Sequence, residues 1–314
     1  MTTSNAEPAS PSAGRGRATA AGISCYSIWG LIPLVFQLIG RLGGSPLEIL
    51  AHRTVWGAPA ALIFVLLAKQ GRTAIAAFRD PRTLASLALA AVLVAANWSI
   101  FIWAVNSGRV LETSLGYYIL PLINMAAGAL IFGERLDRAG HVAIGLAAAG
   151  VALQALALGH LPLISLALAA SFGGYGIVKK RVAVEAQTGL LVECGLLAVP
   201  GLAFVLWLQA HGQGHFGQSL PLTGWLVACG FITVIPLVLF AWAARRIPLS
   251  AMGFLQFIAP TITFVIGVLQ GEAFSALRGV SFVLIWAGVA VFAFAAWRRS
   301  RLELRATADT AAAE

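Results

Sequence analysis

The feature that most constrains this chain is a series of long stretches without Asp, Glu, Lys or Arg. A helix needs about 20 mostly apolar residues to cross the hydrocarbon core of a bilayer, and most of the stretches are long enough. The sequence therefore predicts an all-α polytopic membrane protein. The charge-free stretches cover residues 22–40, 54–68, 83–108, 113–133, 139–178, 194–244, 247–271 and 279–297.

Composition excludes the other broad classes. The chain is 59% hydrophobic and 11% charged, whereas soluble domains are about 25% charged. A soluble fold and disorder over most of the chain are both excluded. The three cysteines, Cys25, Cys194 and Cys229, lie in apolar stretches and are predicted to be small buried side chains. No metal site and no cofactor are predicted.

Two of the stretches are too long for one span and break near Gly159–Pro162 and His211–His215. Ten transmembrane helices result, and residues 1–21 and 298–314 are predicted to be tails, the first of them disordered and both cytoplasmic. The predicted helices cover residues 22–40, 46–68, 83–106, 110–131, 139–158, 161–178, 188–209, 222–243, 249–269 and 279–297.

Basic residues predict the orientation, because cytoplasmic segments of membrane proteins carry an excess of Lys and Arg. With both termini inside, seventeen basic residues lie on the cytoplasmic side and three, Arg41, Arg109 and Arg278, lie outside. This bias predicts a multi-pass protein of the inner (plasma) membrane with cytoplasmic N- and C-termini. It also accounts for the net charge of +9, so the bilayer is the expected partner and nucleic acid is not.

An internal repeat divides the helices into two sets of five. Residues 103–128 match residues 242–267 at a constant offset of 139, which aligns Pro121 with Pro260. An odd number of helices per repeat inserts the second copy upside down, as in many secondary transporters. The predicted halves are residues 22–158 and 159–297.

Three segments carry a family resemblance. Residues 48–56, 97–106 and 114–122 resemble the RarD-type permeases of the EamA branch of the drug/metabolite transporter superfamily. The resemblance implies ten helices in two inverted five-helix EamA-like repeats around a central cavity. It also implies a secondary transporter or facilitator that moves a small organic metabolite or drug, and not an enzyme. It supplies no substrate, and a homodimer stays open.

A rival class is a non-transporting membrane protein, either an assembly subunit or an intramembrane enzyme. No Gly-x-x-x-x-Gly-Lys-[Ser/Thr] loop is present, so the chain contains no ATPase of that type. Flux through the purified protein alone would separate the two classes.

Glu48, His52 and Trp56 share one face of the second helix, with Arg53 beside them. Arg53 lies about a third of the way into the span, where a cation needs a partner. The predicted partner is Glu48, a cluster of carbonyl groups, or a carboxylate of the substrate. The alternative places Glu48 at the interface, with Arg53 extending to it and His52 in one interhelical hydrogen bond.

Other helices supply further cavity candidates. Polar side chains that face lipid are penalised, so Tyr117, Asn124, Gln256 and Thr263 are predicted to line the cavity. An aromatic pocket is predicted from Trp29, Asn97, Trp98, Trp103 and Tyr175, although Trp98 and Trp103 also suit an interfacial belt. Proline within a helix permits bending, which makes Pro121 and Pro260 hinge candidates.

One acidic residue and one pair of histidines are weaker candidates for a functional site. Glu193 occupies the place of Glu48 in the second half and is predicted to be an interfacial residue. His211 and His215 have a spacing that occurs in metal sites, but they lie in a glycine-rich loop with no acidic or cysteine neighbour in sequence.

Overall fold

The computed structural model describes residues 11–132, 138–158, 161–244, 255–272 and 275–313. Within these ranges the chain forms eleven helices and no strand. The helices are α1 Pro11–Arg41, α2 Pro46–Leu67, α3 Gly71–Arg79, α4 Pro81–Asn106, α5 Val110–Phe132, α6 Arg138–Leu158, α7 Leu163–Arg181, α8 Ala186–Ala210, α9 Leu220–Ala244, α10 Ile258–Leu269 and α11 Ala276–Ala313.

Six of the helices, α1, α2, α4, α8, α9 and α11, are long and apolar enough to cross a membrane. Large apolar side chains lie on the outer surface of the bundle, among them Leu66, Val92, Val199 and Phe294, each at least 60% exposed. Such a surface suits lipid rather than water. The prediction of an all-α polytopic membrane protein is confirmed.

The helices differ most clearly from the prediction in three places. α1 begins at Pro11, so residues 11–21, predicted to be part of a disordered tail, are helical. α11 continues to Ala313 instead of ending at residue 297. α3 was not predicted, because nine residues are too few for the apolar pattern that marked the other helices.

Local sequence explains several helix starts. The side chain of Ser45 accepts a hydrogen bond from the N–H of Glu48 and caps α2. Asp80 caps α4 in the same way by accepting from the N–H of Thr83. Proline follows each cap, at the first helical position, where its missing N–H costs little. The bilayer-crossing helices α2 and α4 thus start at defined residues.

Contacts between helices come in matched sets. α1 packs against α9 and α10, and α7 packs against α4 and α5. α2 packs against α8 and α9, and α8 packs against α2 and α4. α5 also packs against α10, and α6 against α11. The five helices of the first half, α1, α2, α4, α5 and α6, can be exchanged with α7, α8, α9, α10 and α11. The exchange converts the contacts of α1 into those of α7 and the α2–α9 contact into α8–α4, and it leaves α2–α8, α5–α10 and α6–α11 unchanged.

Close approaches at glycine follow the same exchange. A methyl group at Gly30 of α1 would lie 2.7 Å from Ile262 Cβ of α10, and one at Gly173 of α7 would lie 2.6 Å from Ile123 Cγ2 of α5. Both distances are too short for carbon atoms, so glycine is required where these helices touch. The two isoleucines are 139 positions apart, which is the offset of the sequence repeat.

A second matched pair joins α6 to α11. A methyl group at Gly150 would lie 2.8 Å from the carbonyl oxygen of Ser281, and one at Gly288 would lie 2.7 Å from that of Ala143. Small residues let transmembrane helices approach closely and gain packing energy. The contacts of this helix pair are therefore reciprocal, as an internal repeat requires.

Glu272 ties the end of α10 to the start of α5. Its carboxylate accepts hydrogen bonds from the N–H groups of Val110 and Leu111, the second at 2.9 Å. These N–H groups have no partner within α5, because they belong to its first turn. The N-terminal end of a helix also favours a nearby negative charge. Glu272 follows the last turn of α10, outside the spanning segments. Burial raises its pKa above the ordinary value of 4.5, while the hydrogen bonds from Leu111 and Val110 act in the opposite direction.

Candidate functional site

A cavity of about 130 Å³ lies among α1, α2, α4, α5, α7, α8, α9 and α10. Its wall is mainly aromatic and aliphatic, with a few polar side chains, which is the usual character of a small-molecule site. The lining residues are Tyr26, Trp29, Ile32, Arg53, Val94, Trp98, Phe101, Tyr117, Leu120, Phe172, Tyr175, Leu190, Thr233, Leu237, Gln256, Ala259, Pro260 and Thr263.

Seven of the ten cavity candidates taken from the sequence lie in this wall. They are Trp29, Arg53, Trp98, Tyr117, Tyr175, Gln256 and Thr263. Glu48 and His52 are outside the wall, and the side chain of Asn124 falls outside the described part of the chain. Trp103 is also outside the wall, 46% exposed on the bundle surface with Arg109 over its ring.

Arg53 is the charged group in the wall. It is 5% exposed, and its guanidinium carbon lies 3.9 Å from the centroid of the Trp98 ring and 5.5 Å from that of Phe36. Its Nε atom has no hydrogen-bond partner in the part of the chain that the structure describes. Among the described residues no carboxylate lies within ion-pairing distance of it, because Glu48 is engaged elsewhere. Within the described residues, Arg53 therefore presents a positive charge to the cavity without a paired anion.

Glu48 pairs with the loop between α8 and α9 rather than with Arg53. Its Oε1 accepts from the backbone N–H of His215 at 2.8 Å, and its Oε2 lies 2.9 Å from His215 Nδ1. Phe216 stacks on His52 with ring centroids 4.8 Å apart. His52 in turn accepts a hydrogen bond from Trp56 Nε1 of its own helix. The loop residues 215 and 216 thus cover the first turns of α2.

Tyr117 is held by a hydrogen-bond network that joins three helices. Its hydroxyl donates to Asn97 Oδ1 at 2.9 Å. Asn97 Nδ2 donates to the carbonyl oxygen of Leu168 and to Ser171 Oγ. Because Asn97 is fully buried, these bonds satisfy a polar group that would otherwise be costly in the bundle. The network fixes α4, α5 and α7 around one side of the cavity.

Pro260 lies beside an interruption of the helix. Residues 255 and 256 are helical, Phe257 is a turn, and α10 begins at Ile258. Proline has no N–H to donate to the carbonyl four residues earlier, that of Gln256. The hydrogen bond that Pro260 cannot form lies at this interruption, while the side chain of its repeat partner Pro121 lies outside the described residues.

Glu193, which the sequence predicts to be an interfacial residue, lies inside the helical bundle. It is 1% exposed. Lys179 Nζ lies 2.7 Å from its Oε1, and the Tyr175 hydroxyl donates to its Oε2 at 3.1 Å. Lys179 lies in the last turn of α7, and its ammonium group contacts a residue of α8. A contact between two helices is not apparent from the sequence.

Comparison with known proteins identifies relatives along most of the chain. Residues 18–156 match the EamA-like transporter family. The chain is 42% identical over 298 residues to Protein RarD of Streptomyces exfoliatus, covering 92% of this chain and 93% of that protein. It is 39% identical over 272 residues to Protein RarD of Escherichia coli, covering 86% and 91%. It is 31% identical over 261 residues to the Chloramphenicol-sensitive protein RarD of Pseudomonas aeruginosa, covering 82% and 86%.

A crystal structure with 21% sequence identity has a TM-score of 0.58 and covers 90% of this chain and 98% of the other. This likeness supports the fold of the helical bundle.

Proposed function

The chain belongs to the RarD-type permeases of the EamA-like transporter family, and from that premise we propose that it carries a small aromatic carboxylate across the bacterial inner membrane. It is a transporter rather than an enzyme. The observation that carries the proposal is Arg53, a buried cation in the cavity wall whose only described partners are aromatic rings.

The chemistry of the wall favours an anionic ring compound. A guanidinium group offers parallel N–H donors that match a carboxylate. A buried cation without an anion is costly in a membrane, so a carboxylate that reaches Arg53 gains a desolvated ion pair. The cavity of about 130 Å³ is close to the size that holds one benzene ring. Trp29 and Tyr117 offer aromatic faces for that ring.

The mechanism that we propose is alternating access of two inverted five-helix halves. The matched helix contacts and the reciprocal glycine contacts support it, since inverted repeats have two equivalent packings around one site. Pro260 and Pro121 are the proposed hinges, because one of them already adjoins an interrupted helix. The basic-residue bias supports an inner-membrane orientation with cytoplasmic termini. Periplasmic reporter fusions should then be active at residue 214 and silent after residue 305, and the reverse pattern would contradict the orientation.

Flux into proteoliposomes tests the proposal. Purified protein is reconstituted into vesicles, and uptake of radiolabelled 4-hydroxybenzoate is compared with that of 4-hydroxybenzamide, which has the same ring and no charge. Protein-dependent uptake is expected for the carboxylate and not for the amide. Protein-free vesicles give the passive rate to subtract.

The outcomes separate the rival readings. Uptake of both compounds would contradict the role of Arg53 in choosing an anion. Uptake of neither, in vesicles whose protein retains its helical circular-dichroism signal, would contradict the proposed substrate class. If a wider set of amino acids, nucleosides and antibiotics also failed to cross, the non-transporting assembly subunit would be favoured.

A further inference from the structure

We propose that Glu193, together with Lys179 and Tyr175, forms a proton-binding site that couples proton movement to solute movement. These three residues are called the Glu193 cluster. The inference rests on the proposed function, because it assigns the coupling ion for the same cavity. It starts from a carboxylate that is 1% exposed inside a helical bundle, a position where an ionisable group indicates a functional site.

The cluster is connected directly to the cavity. The Tyr175 hydroxyl donates to Glu193 Oε2 at 3.1 Å, and the Tyr175 ring lies in the cavity wall beside Phe172. A change in the charge of Glu193 therefore alters the hydrogen bond of a residue that faces the solute. One side chain separates the proton site from the solute site.

The ion pair has the properties of a two-state element. Removing two charges from water costs about as much as their attraction returns, so a buried pair adds little net stability. The Lys179 side chain is 21% exposed, whereas that of Glu193 is 2% exposed. Lys179 can therefore turn its ammonium group to water when Glu193 becomes neutral. The paired state and the separated state then differ by a small free energy, which one proton is able to reverse.

Gly189 makes the pair feasible. It lies one turn before Glu193 on α8, and a methyl group there would overlap Lys179 Nζ. Lysine thus reaches Glu193 across the bare backbone of this glycine. The ion pair therefore depends on three positions, Lys179 of α7 together with Gly189 and Glu193 of α8. A chance surface contact does not require three such positions.

The charged and titratable groups around Glu193 are few. Tyr175 and Lys179 approach from α7, and Cys194 is its neighbour on α8. Arg53 of α2 lies in the cavity wall, and no ion pair joins it to Glu193 within the described residues. Among the described residues of α3, α4 and α9, which also pack near α8, none forms an ion pair or a hydrogen bond with Glu193. The proton therefore binds at one carboxylate and not at a shared cluster of acids.

The other half of the chain carries an analogous pair. Glu48 takes the place of Glu193 in the first repeat, is also 1% exposed, and pairs with His215, whose side chain is 36% exposed. Each half thus holds a buried carboxylate near the start of its second helix, and a partly exposed basic side chain pairs with that carboxylate. Because the halves are inverted, the two pairs lie toward opposite ends of the bundle.

The proposed step balances in protons and charge. A proton from the aqueous phase binds a carboxylate oxygen of Glu193, and Lys179 remains an ammonium ion and turns to solvent. The charge of the cluster changes from zero to plus one. With an anionic solute at Arg53, the proton and the solute together carry no net charge, which avoids the cost of moving charge across the bilayer.

Infrared spectroscopy tests proton binding without reference to any solute. The carbonyl stretch of protonated carboxyl groups is recorded on the protein in phosphatidylethanolamine–phosphatidylglycerol vesicles from about pH 5 to 9. The wild-type spectrum should contain a component that disappears as pH rises, and Glu193→Gln should lack it. Glu112→Gln is the matched control, because Glu112 also pairs with a cation, Arg109 at 2.7 Å, but lies outside the cavity wall. It should keep the component.

A second variant keeps the carboxyl group and removes its cation. In Lys179→Gln the same component should persist to a pH at least about one unit higher, because an opposite charge at this distance favours the ionised acid. An identical spectrum in Glu193→Gln and the wild type, or an unchanged titration in Lys179→Gln, would overturn the proposal.

Solute exchange separates this inference from the proposed function. Exchange of 4-hydroxybenzoate, with equal pH on both sides and the passive rate subtracted, should depend on pH in the wild type and not in Glu193→Gln. The same pH dependence in both proteins would overturn the role of Glu193 in coupling. No exchange by the wild type would contradict the transport proposal, while the infrared result would still decide whether Glu193 binds a proton.

Discussion

Replacement of Arg53 by lysine is the sharpest test of the cavity, because it keeps the charge and removes the planar guanidinium. The guanidinium lies 3.9 Å from the centroid of Trp98 and offers two N–H groups to a carboxylate. Lysine retains one strong donor to the same anion, so one charge-assisted hydrogen bond is lost, worth about 1.5–3 kcal/mol. At about 1.4 kcal/mol per factor of ten, Arg53→Lys should weaken 4-hydroxybenzoate binding roughly 10- to 100-fold.

Equilibrium binding in detergent measures this loss, with titration calorimetry or quenching of tryptophan fluorescence as the readout. Arg109→Lys is the matched control, because Arg109 also lies over a tryptophan, Trp103 at 5.7 Å, but outside the cavity wall. It should bind 4-hydroxybenzoate as the wild type does. Thermal unfolding of each variant checks that the fold is kept. Binding by Arg53→Lys within about twofold of the wild type would refute a two-pronged contact to the anion.

Three further predictions concern stability. His215→Ala removes a partner of the buried Glu48 carboxylate and should lower the free energy of unfolding by about 1–3 kcal/mol. The control His211→Ala, at an exposed residue of the same loop, should have little effect. Equal thermal midpoints for the two variants would contradict this prediction. Gly150→Ala places a methyl group 2.8 Å from the Ser281 carbonyl oxygen and should cost about 1–3 kcal/mol, while Gly145→Ala, with open space around it, should be neutral or stabilising in the same thermal scan. Burial raises the pKa of Glu272, so the folded state binds the proton of this carboxyl group more tightly than the unfolded state does. The free energy of unfolding should therefore fall as pH rises from about 4.5 through the raised pKa. The difference in thermal midpoint between the wild type and Glu272→Gln, measured against pH, should show this fall, and a rise instead would show that the hydrogen bonds from the N–H groups of Val110 and Leu111 dominate.

The sequence by itself determined the class of the protein and the main helices. In a bilayer every backbone N–H and C=O must be bonded within the chain, so long charge-free stretches have little choice but to form helices. Residues such as Arg53 and Tyr117 could be placed toward a cavity for a related reason, since a polar group facing lipid is penalised. The short surface helix α3 and the helical ends of α1 and α11 escaped this reasoning, because no bilayer constraint acts on them.

The partners of the charged groups were decided by the tertiary structure. Glu48 lies near Arg53 in sequence, yet it pairs with His215, 167 positions away, because the loop before α9 folds over the start of α2. Glu193 resembled an interfacial residue, yet Lys179 reaches it across Gly189 from another helix. Periodicity along one helix predicts which face a side chain occupies, but the residue that meets it depends on which helices pack together and how closely. That packing leaves Arg53 without a carboxylate among the described residues and gives Glu193 a cation.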